Sequence, residues 1–372
     1  MSKGGRVLHA DEGRVIVQGR GGELLSVRTE DATLKPGDLA LLNGHMATKL
    51  WPHPSGEYPD PLSQDRHLHD PKIWQRLKLR AELLQGIRAF FSAHSFLEVE
   101  TPIAVDSPGT EVHLAATQVV QSTAPGKEPA HRYLITSPEY HMKRLLGAGS
   151  PPIFQICKTF RDGERGRHHR PEFTMLEWYR PWSGLSEILS DCEALIRHVS
   201  SSDTLMYQGE AISLRPPWPR HTFLGLLKER AGIREPSRLT SDEQLSAFVT
   251  HVEPQLGRQR PEFVTEYPID MASLAQPCPH DRTLAERSEL YIAGLELANA
   301  FGELVDASEQ RKRCEADNME RRELGLPELP IDEAFLNALT QGLPPSGGIA
   351  LGVDRLAMLI CDVPSIDDVL TF

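Results

Sequence analysis

Cysteine is scarce in this sequence and has no pairing pattern. The five residues (Cys157, Cys192, Cys278, Cys314 and Cys361) are odd in number, far apart and never in a C-x-x-C pair. That spacing offers neither a disulfide framework nor a zinc site, and fits free thiols in a reducing compartment. Positive charge is in deficit: 40 Lys and Arg against 52 Asp and Glu leave −12. A protein that coats nucleic acid by charge alone is thereby excluded, although a local basic patch is not. Long apolar runs are missing too. The start, MSKGGRVLHADEGRV, lacks the hydrophobic segment of a secretory signal, and the apolar stretch GGIALGVDRLAMLI carries Asp354 and Arg355 in its middle. With 40% hydrophobic and 25% charged residues, the 372-residue chain is neither disordered nor fibrous, and has room for two or three domains. There is no internal repeat and no low-complexity tract. The expectation is a cytoplasmic protein with no membrane partner.

Residues 1–50 alternate in short stretches (Arg14–Val17, Glu23–Val27, Leu39–Leu42) between Gly- and Asn-rich turns, which predicts a small antiparallel β unit, a thin barrel or sheet. Residues 51–69 are rich in proline and predict a linker. From Pro71, apolar residues at 73, 77, 81, 84, 87 and 91 predict a helix of about six turns. A short strand ending at Pro102 follows, then a strand at Tyr133–Thr136. Next comes a helix that Ser137 caps and Pro138 opens. Ile153–Phe160 and Glu172–Tyr179 predict a hairpin, residues 183–260 read as mostly helical, and Leu290–Val305 and Ile349–Leu359 return to strand or strand-into-helix. Residues 70–372 therefore form one large α+β domain.

Four stretches carry chemistry. Between the hairpin strands, Phe160-Arg-Asp-Gly-Glu-Arg-Gly-Arg-His-His-Arg170 collects four arginines and two histidines, followed by Phe173, Glu177 and Tyr179. Arginine forks suit phosphate oxygens, Phe173 can stack on a purine, and Glu164 can accept from its amino group. Glu177 and Tyr179 share a strand face at period two. The arginines alone would fit a solvated loop; the alternation after them favours a site. Gly347–Leu359 places Gly348 and Gly352, where backbone can approach a ligand, before Arg355 at the start of an apolar helix. Arg355 would otherwise be an ion pair, with Asp354 as the adjacent partner. Glu296 and Glu303 lie seven apart, on opposite faces of a straight strand unless a bulge or turn at Ala300–Gly302 reunites them; paired carboxylates near phosphates suit Mg²⁺. Ser137-Pro-Glu139 is a helix start whose carboxylate can hold an amine, and alone is also a capping pattern.

In this order, the four stretches resemble the catalytic core of class II aminoacyl-tRNA synthetases, over about residues 70–372. Ser-Pro-Glu-Tyr-His-Met-Lys-Arg with Pro-Glu-Phe-Thr-Met-Leu-Glu-Trp-Tyr-Arg-Pro is similar to the narrower family of elongation factor P–(R)-β-lysine ligases, paralogues of lysyl-tRNA synthetase. The short β unit before the core and Ala350, where the synthetases keep a glycine, both resemble the paralogues; one methyl there is worth about 1–3 kcal/mol of discrimination. The resemblance implies an antiparallel sheet flanked by helices, ATP and Mg²⁺, β-lysyl-adenylate formation, transfer to a lysine of elongation factor P rather than to tRNA, and a homodimer. It implies that Arg161 holds the α-phosphate and substrate carboxylate and Arg355 the γ-phosphate. Asp162, Gly163, Glu164, His169, Arg170, Phe173, Leu297 and Gly352 would surround ATP. Glu296 with Glu303 would organise Mg²⁺. Ser137, Pro138, Glu139, Glu177, Tyr179, Glu303 and Ala350 would line β-lysine. The synthetase pattern Phe-Arg-x-Glu reads here Phe160-Arg-Asp-Gly163 with glutamate one place later, leaving Glu164 or the loop backbone to read adenine.

Overall fold

The computed structural model describes residues 3–372 apart from 20–21, 54–56, 60–67, 69, 122–128 and 273. Much of the expected linker lies outside the described residues. The chain divides into two compact units, Met1–Glu82 with Asp367–Phe372, and Leu83–Ile366.

In the first unit, β1 (Lys3–Asp11), β2 (Arg14–Gln18), β3 (Leu24–Arg28), β4 (Leu39–Asn43) and β5 (Met46–Trp51) close into a barrel in the order β1-β2-β3-β5-β4. Alternation along each strand turns Val7, Val15, Val17, Val27, Ala40, Leu42 and Ala47 inward, and Leu34 plugs the interior. Two strands the turn pattern did not announce, β1 and β5, complete the closure. Helix α1 (Pro71–Ala93) begins here and runs into the second unit. Its buried residues are Ile73, Leu83, Ile87, Phe90 and Phe91, whereas Ala81 is exposed and Leu77 and Leu84 are half-buried. The two four-residue steps from Ile73 carry Leu77 and Ala81 off the core face of a 3.6-residue helix, and the three-residue steps that follow bring Ile87 back to it, with Phe91 one turn on.

The second unit is built on an eight-stranded sheet whose strands, in order, are β14 (Arg220–Thr222), β15 (Glu262–Pro268), β16 (Leu284–Ile292), β17 (Leu295–Gly302), β18 (Ser346–Gly352), β11 (Glu172–Pro181), β10 (Ile153–Phe160) and β6 (Leu97–Glu98). The strand expected before Pro102 pairs only at β6 (Leu97–Glu98). A three-stranded sheet of β7 (Ala104–Val105), β8 (Gln118–Gln121) and β9 (Ala130–Leu134) precedes α2 (Glu139–Gly147). Pro138, not Ser137, occupies the cap position of α2; the Ser137 hydroxyl accepts the Glu139 N–H at 3.1 Å. The predicted hairpin is β10 (Ile153–Phe160) and β11 (Glu172–Pro181). Residues 183–260 are less helical than expected. They hold α3 (Leu185–Val199), strands β12 (Thr204–Tyr207), β13 (Glu210–Ser213) and β14 (Arg220–Thr222), then α4 (Phe223–Glu229) and α5 (Ser241–Ala247). The antiparallel centre follows: β15 (Glu262–Pro268), β16 (Leu284–Ile292) and β17 (Leu295–Gly302). Helices α6 (Ala307–Glu323) and α7 (Glu333–Gln341) precede β18 (Ser346–Gly352), which passes directly into α8 (Val353–Ile360). Phe91 stacks on Phe154 of β10 at 4.5 Å, anchoring α1 under the sheet. Among the described residues, no helix is long and apolar enough to cross a membrane.

Candidate active site

Strands β11, β18 and β17 lie side by side at the centre of the sheet. Their register sets Glu177 opposite Ala350 and Ala350 opposite Asn299, with Tyr179, Gly348 and Phe301 one pleat along. Since side chains two apart share a face, these rows floor one cavity of about 710 Å³. Its walls add Ser137 and Glu139 from the start of α2, Arg161, Glu164, His169 and Arg170 from the hairpin loop, and Gly352 and Arg355 from the β18–α8 junction. Phe173, Glu296, Leu297 and Glu303 line it as well. Of the predicted site residues, Pro138, Asp162 and Gly163 fall outside the lining: Pro138 caps α2, and Asp162 accepts the N–H of Gly163 at the exposed loop tip.

One end of the cavity is anionic. Glu177 is buried, and its oxygens accept from the Ser137 hydroxyl at 2.6 Å and the Tyr179 hydroxyl at 2.8 Å. Burial first, and then the charge of Glu139, push the Glu177 carboxyl up to about 8. Lys143 of α2 is wholly buried, with Nζ 2.5 Å from a carboxylate oxygen of Glu139 and 2.5 Å from one of Glu303. Burial alone would lower its pKa; the two carboxylates more than reverse that and hold it cationic. One fixed cation thus faces three carboxyl groups, so a ligand ammonium can be held there by carboxyls that ionise as it binds. Glycine at 348 makes this packing possible: a Cβ there would stand 2.2 Å from Glu303 Oε1 and 2.3 Å from the Tyr179 ring. The sequence reading did not single out Lys143, although it stands four residues after Glu139 on one helix face; Glu303, which the resemblance placed at the substrate, completes the cluster.

The other end is cationic. Arg161 stacks over Phe173 at 5.2 Å, its Nη1 lies 4.0 Å from Glu164, and its buried Nε has no hydrogen-bond partner among the described residues. An orphaned buried guanidinium N–H is costly, and a phosphate or carboxylate oxygen would satisfy it. Arg355 Nη1 donates to the Glu296 carbonyl at 2.5 Å, with the Glu296 carboxylate 3.5 Å away, and Nη2 reaches His169 Nε2 at 2.5 Å. Burial, and next the charge of Arg355, lower the His169 pKa, so a neutral ring accepts this bond. The adjacent Asp354 accepts the Thr174 N–H at 2.8 Å, and the Glu296 carboxylate is a charged neighbour of Arg355 that the sequence did not suggest.

The bulge expected at Ala300–Gly302 occurs earlier. Leu290 pairs with Ala298 and Tyr291 with Glu296, leaving Leu297 as the extra residue. That shift lets both Glu296 and Glu303 line the cavity, but at separate places. Glu303 belongs to the Lys143 cluster. Glu296 is pushed up by burial and then by Glu289, a residue the sequence reading missed. Glu289 accepts from the hydroxyls of Tyr267 at 2.5 Å and Tyr291 at 2.6 Å, and pairs with Arg287. Glu296 can give a dication one protein oxygen, with phosphate completing its shell, whereas Glu289 is paired with Arg287 and Glu303 with Lys143. Among the described residues, no group of three or more His, Cys, Asp or Glu is placed to hold a metal by itself.

The sequence pattern of the family described as tRNA synthetases class II (D, K and N) matches residues 64–372. A curated protein of Edwardsiella ictaluri named elongation factor P–(R)-β-lysine ligase is 43% identical over 321 residues, covering 82% of this chain and 98% of that relative. The chain belongs to the elongation factor P–(R)-β-lysine ligase family of class II tRNA synthetases. Proteins of the same name from Erwinia tasmaniensis (42% over 328 residues; 82% of this chain, 98% of the relative) and Proteus mirabilis (43% over 303 residues; 79% and 93%) are similar to it in the same way. Family membership accounts for the α+β fold. The barrel at residues 3–51 precedes the family match.

Proposed function

We propose that this protein is an ATP-dependent ligase that activates (R)-β-lysine as its adenylate and transfers the β-lysyl group to a lysine side chain of elongation factor P. The observation that carries the reading is the division of a single cavity into an amine end, where Glu139, Glu177 and Glu303 surround one Lys143, and a phosphate end formed by Arg161 and Arg355. A substrate with an ammonium at one end and a carboxylate at the other lies between them with its carboxylate toward ATP.

In this reading Phe173 stacks on the adenine and Arg161 beside it holds the α-phosphate, Arg355 with His169 holds the γ-phosphate, and Ser137 and Tyr179 keep Glu177 aimed at the substrate amine. Ala350, level with Glu177 across β11 and β18, narrows the floor beneath the substrate backbone. The substrate carboxylate attacks the α-phosphorus and pyrophosphate leaves. No protein nucleophile is involved, so the chain contributes positioning and charge neutralisation, each charge-assisted hydrogen bond supplying roughly 1.5–3 kcal/mol. Glu296 would hold Mg²⁺, which when bound neutralises developing phosphate charge. The protein works in the cytoplasm as a homodimer, with a protein amine rather than tRNA as acceptor.

The test is amino-acid-dependent ATP–pyrophosphate exchange with (R)-β-lysine, α-lysine or no amino acid, followed by mass analysis of elongation factor P. Exchange with β-lysine and a β-lysyl mass increment on the factor are expected. Preference for α-lysine with charging of tRNA would replace this reading by a lysyl-tRNA synthetase-like one, and no exchange would leave a fold that only binds.

A further inference from the structure

Several carboxylates of the cavity lining have no part in the adenylation step, and one of them is Glu111. Glu111 lies in the loop between β7 and β8, half-buried, and lines the cavity together with Arg161, Glu139 and Asp317. The loop is fastened to its surroundings. Arg321 of α6 donates to the carbonyls of Glu111 at 3.1 Å and Val112 at 3.2 Å, Thr110 donates to Asp317 at 2.8 Å, and Ser107 to the Pro330 carbonyl at 2.5 Å. Thr136 donates to the Pro108 carbonyl at 3.1 Å. Gly109, at φ +105°, clears the space its neighbour needs: a Cβ there would stand 2.3 Å from Glu111 Oε2. The carboxyl is thus held by a built loop rather than left to solvent.

The groups facing it are Glu139 and Tyr140 on α2, Cys314 and Asp317 on α6, and Arg161 at the end of β10. Burial raises the Glu111 carboxyl most; its own N–H and Arg161 oppose, Glu139 and Asp317 assist, and the balance stands at about 7. Resting on the proposed ligase reading, we infer that Glu111 is the general base of the second step, taking the proton from the acceptor lysine beside the reacting carbonyl that Arg161 holds. Only about one lysine in a few thousand is uncharged at neutral pH, so an acceptor ammonium needs such a base. The ammonium gives one proton to the Glu111 carboxylate, and the freed lone pair forms the C–N bond. The carbonyl C–O bond to phosphate breaks with its electron pair on the AMP oxygen. The second proton on nitrogen leaves to the departing phosphate or to water.

The experiment uses the full-length enzyme and compares wild type with Glu111→Gln and Glu111→Asp. Pyrophosphate exchange reads adenylation, and rapid mixing of the enzyme-bound adenylate with elongation factor P reads transfer. Glu111→Gln is expected to slow transfer by roughly 10²–10⁴-fold, the range of a lost general base. It should flatten the rise of the transfer rate between pH 6 and about 8, while Glu111→Asp restores part of the rate. Hydroxylamine, a nucleophile already neutral at pH 7, should capture the adenylate of Glu111→Gln as fast as that of wild type. Equal losses in exchange and transfer would instead make Glu111 a substrate-binding group and overturn the inference. So would an unchanged transfer rate, or a hydroxylamine reaction slowed as much as transfer. A wild-type enzyme that never modifies the factor fails the ligase reading itself, a result distinct from all of these.

Discussion

Replacing Lys143 by methionine is the sharpest perturbation the fold offers. The side chain is wholly buried, with Nζ 2.5 Å from Glu139 and 2.5 Å from Glu303, so Lys143→Met keeps the length and removes the only cation in the cluster. Taking one partner out of a buried ion pair costs about 3–5 kcal/mol, because the other charge is left behind. Burial holds the Glu303 carboxyl at about 8 even beside Lys143, and losing the cation pushes it higher still. The sign with pH follows. The wild-type folded state gives up that proton near pH 8, whereas the variant keeps it. Above pH 8 the stability of the variant therefore goes on falling by about 1.4 kcal/mol per pH unit, while this contribution levels off in wild type. The deficit should be steady below about pH 7 and wider at pH 9. Urea unfolding at pH 7 and pH 9, followed by tryptophan fluorescence, measures both quantities. A deficit below about 1 kcal/mol at pH 7, or one of the same size at both pH values, would refute the argument that Lys143 pairs with the carboxylates of this pocket.

Gly348→Ala places a methyl within 2.3 Å of both Glu303 and the Tyr179 ring, and should raise the KM for the amino acid in pyrophosphate exchange by more than about tenfold; an unchanged KM would remove the amine pocket from its assigned place. Arg355→Ala should lower exchange by at least about a hundredfold with the circular dichroism spectrum intact, and Arg355→Lys should recover little, since an ammonium cannot reach Glu296 and His169 together; near-wild-type turnover in either variant contradicts the role. Because burial and Glu139 push Glu177 up to about 8, its carboxyl is largely protonated at pH 7 and must ionise to hold an ammonium. Substrate binding at pH 7 should then release a proton, seen by calorimetry in buffers of different ionisation heat, and should tighten from pH 6 to about 8; no proton release would mean that Glu177 is already ionised.

Local signals in the chain reached a long way. Alternation and turn residues marked β2, β3 and β4, the apolar spacing marked α1, and strands β10 and β11 stand at the residues their patterning predicted, because each of these elements buries one periodic face. The motif residues also met as their order implied, with Arg161, Phe173, Glu177, Glu296, Glu303 and Arg355 around one cavity. Other features were invisible for physical reasons. The short strands at 204–222 have too few residues for a period to show, and the drift of α1 away from Leu77 and Ala81 depends on what packs beside it.

By itself, then, the sequence determined the α+β class, the family and most of the residues that carry charge into the site. Tertiary structure decided how those charges are partnered. The one-residue bulge at Leu297 separates Glu296 from Glu303, giving the first to Glu289 and the second to Lys143. A bulge is a property of the pairing between two strands rather than of either strand's composition, and the neutralisation of a buried carboxylate depends on which cation another element brings within 3 Å of it. Glu111 shows the same division: an ordinary loop glutamate in the sequence, it becomes a cavity carboxylate because Arg321 and Gly109, 210 residues distant and two residues before it, fix the loop and clear its path.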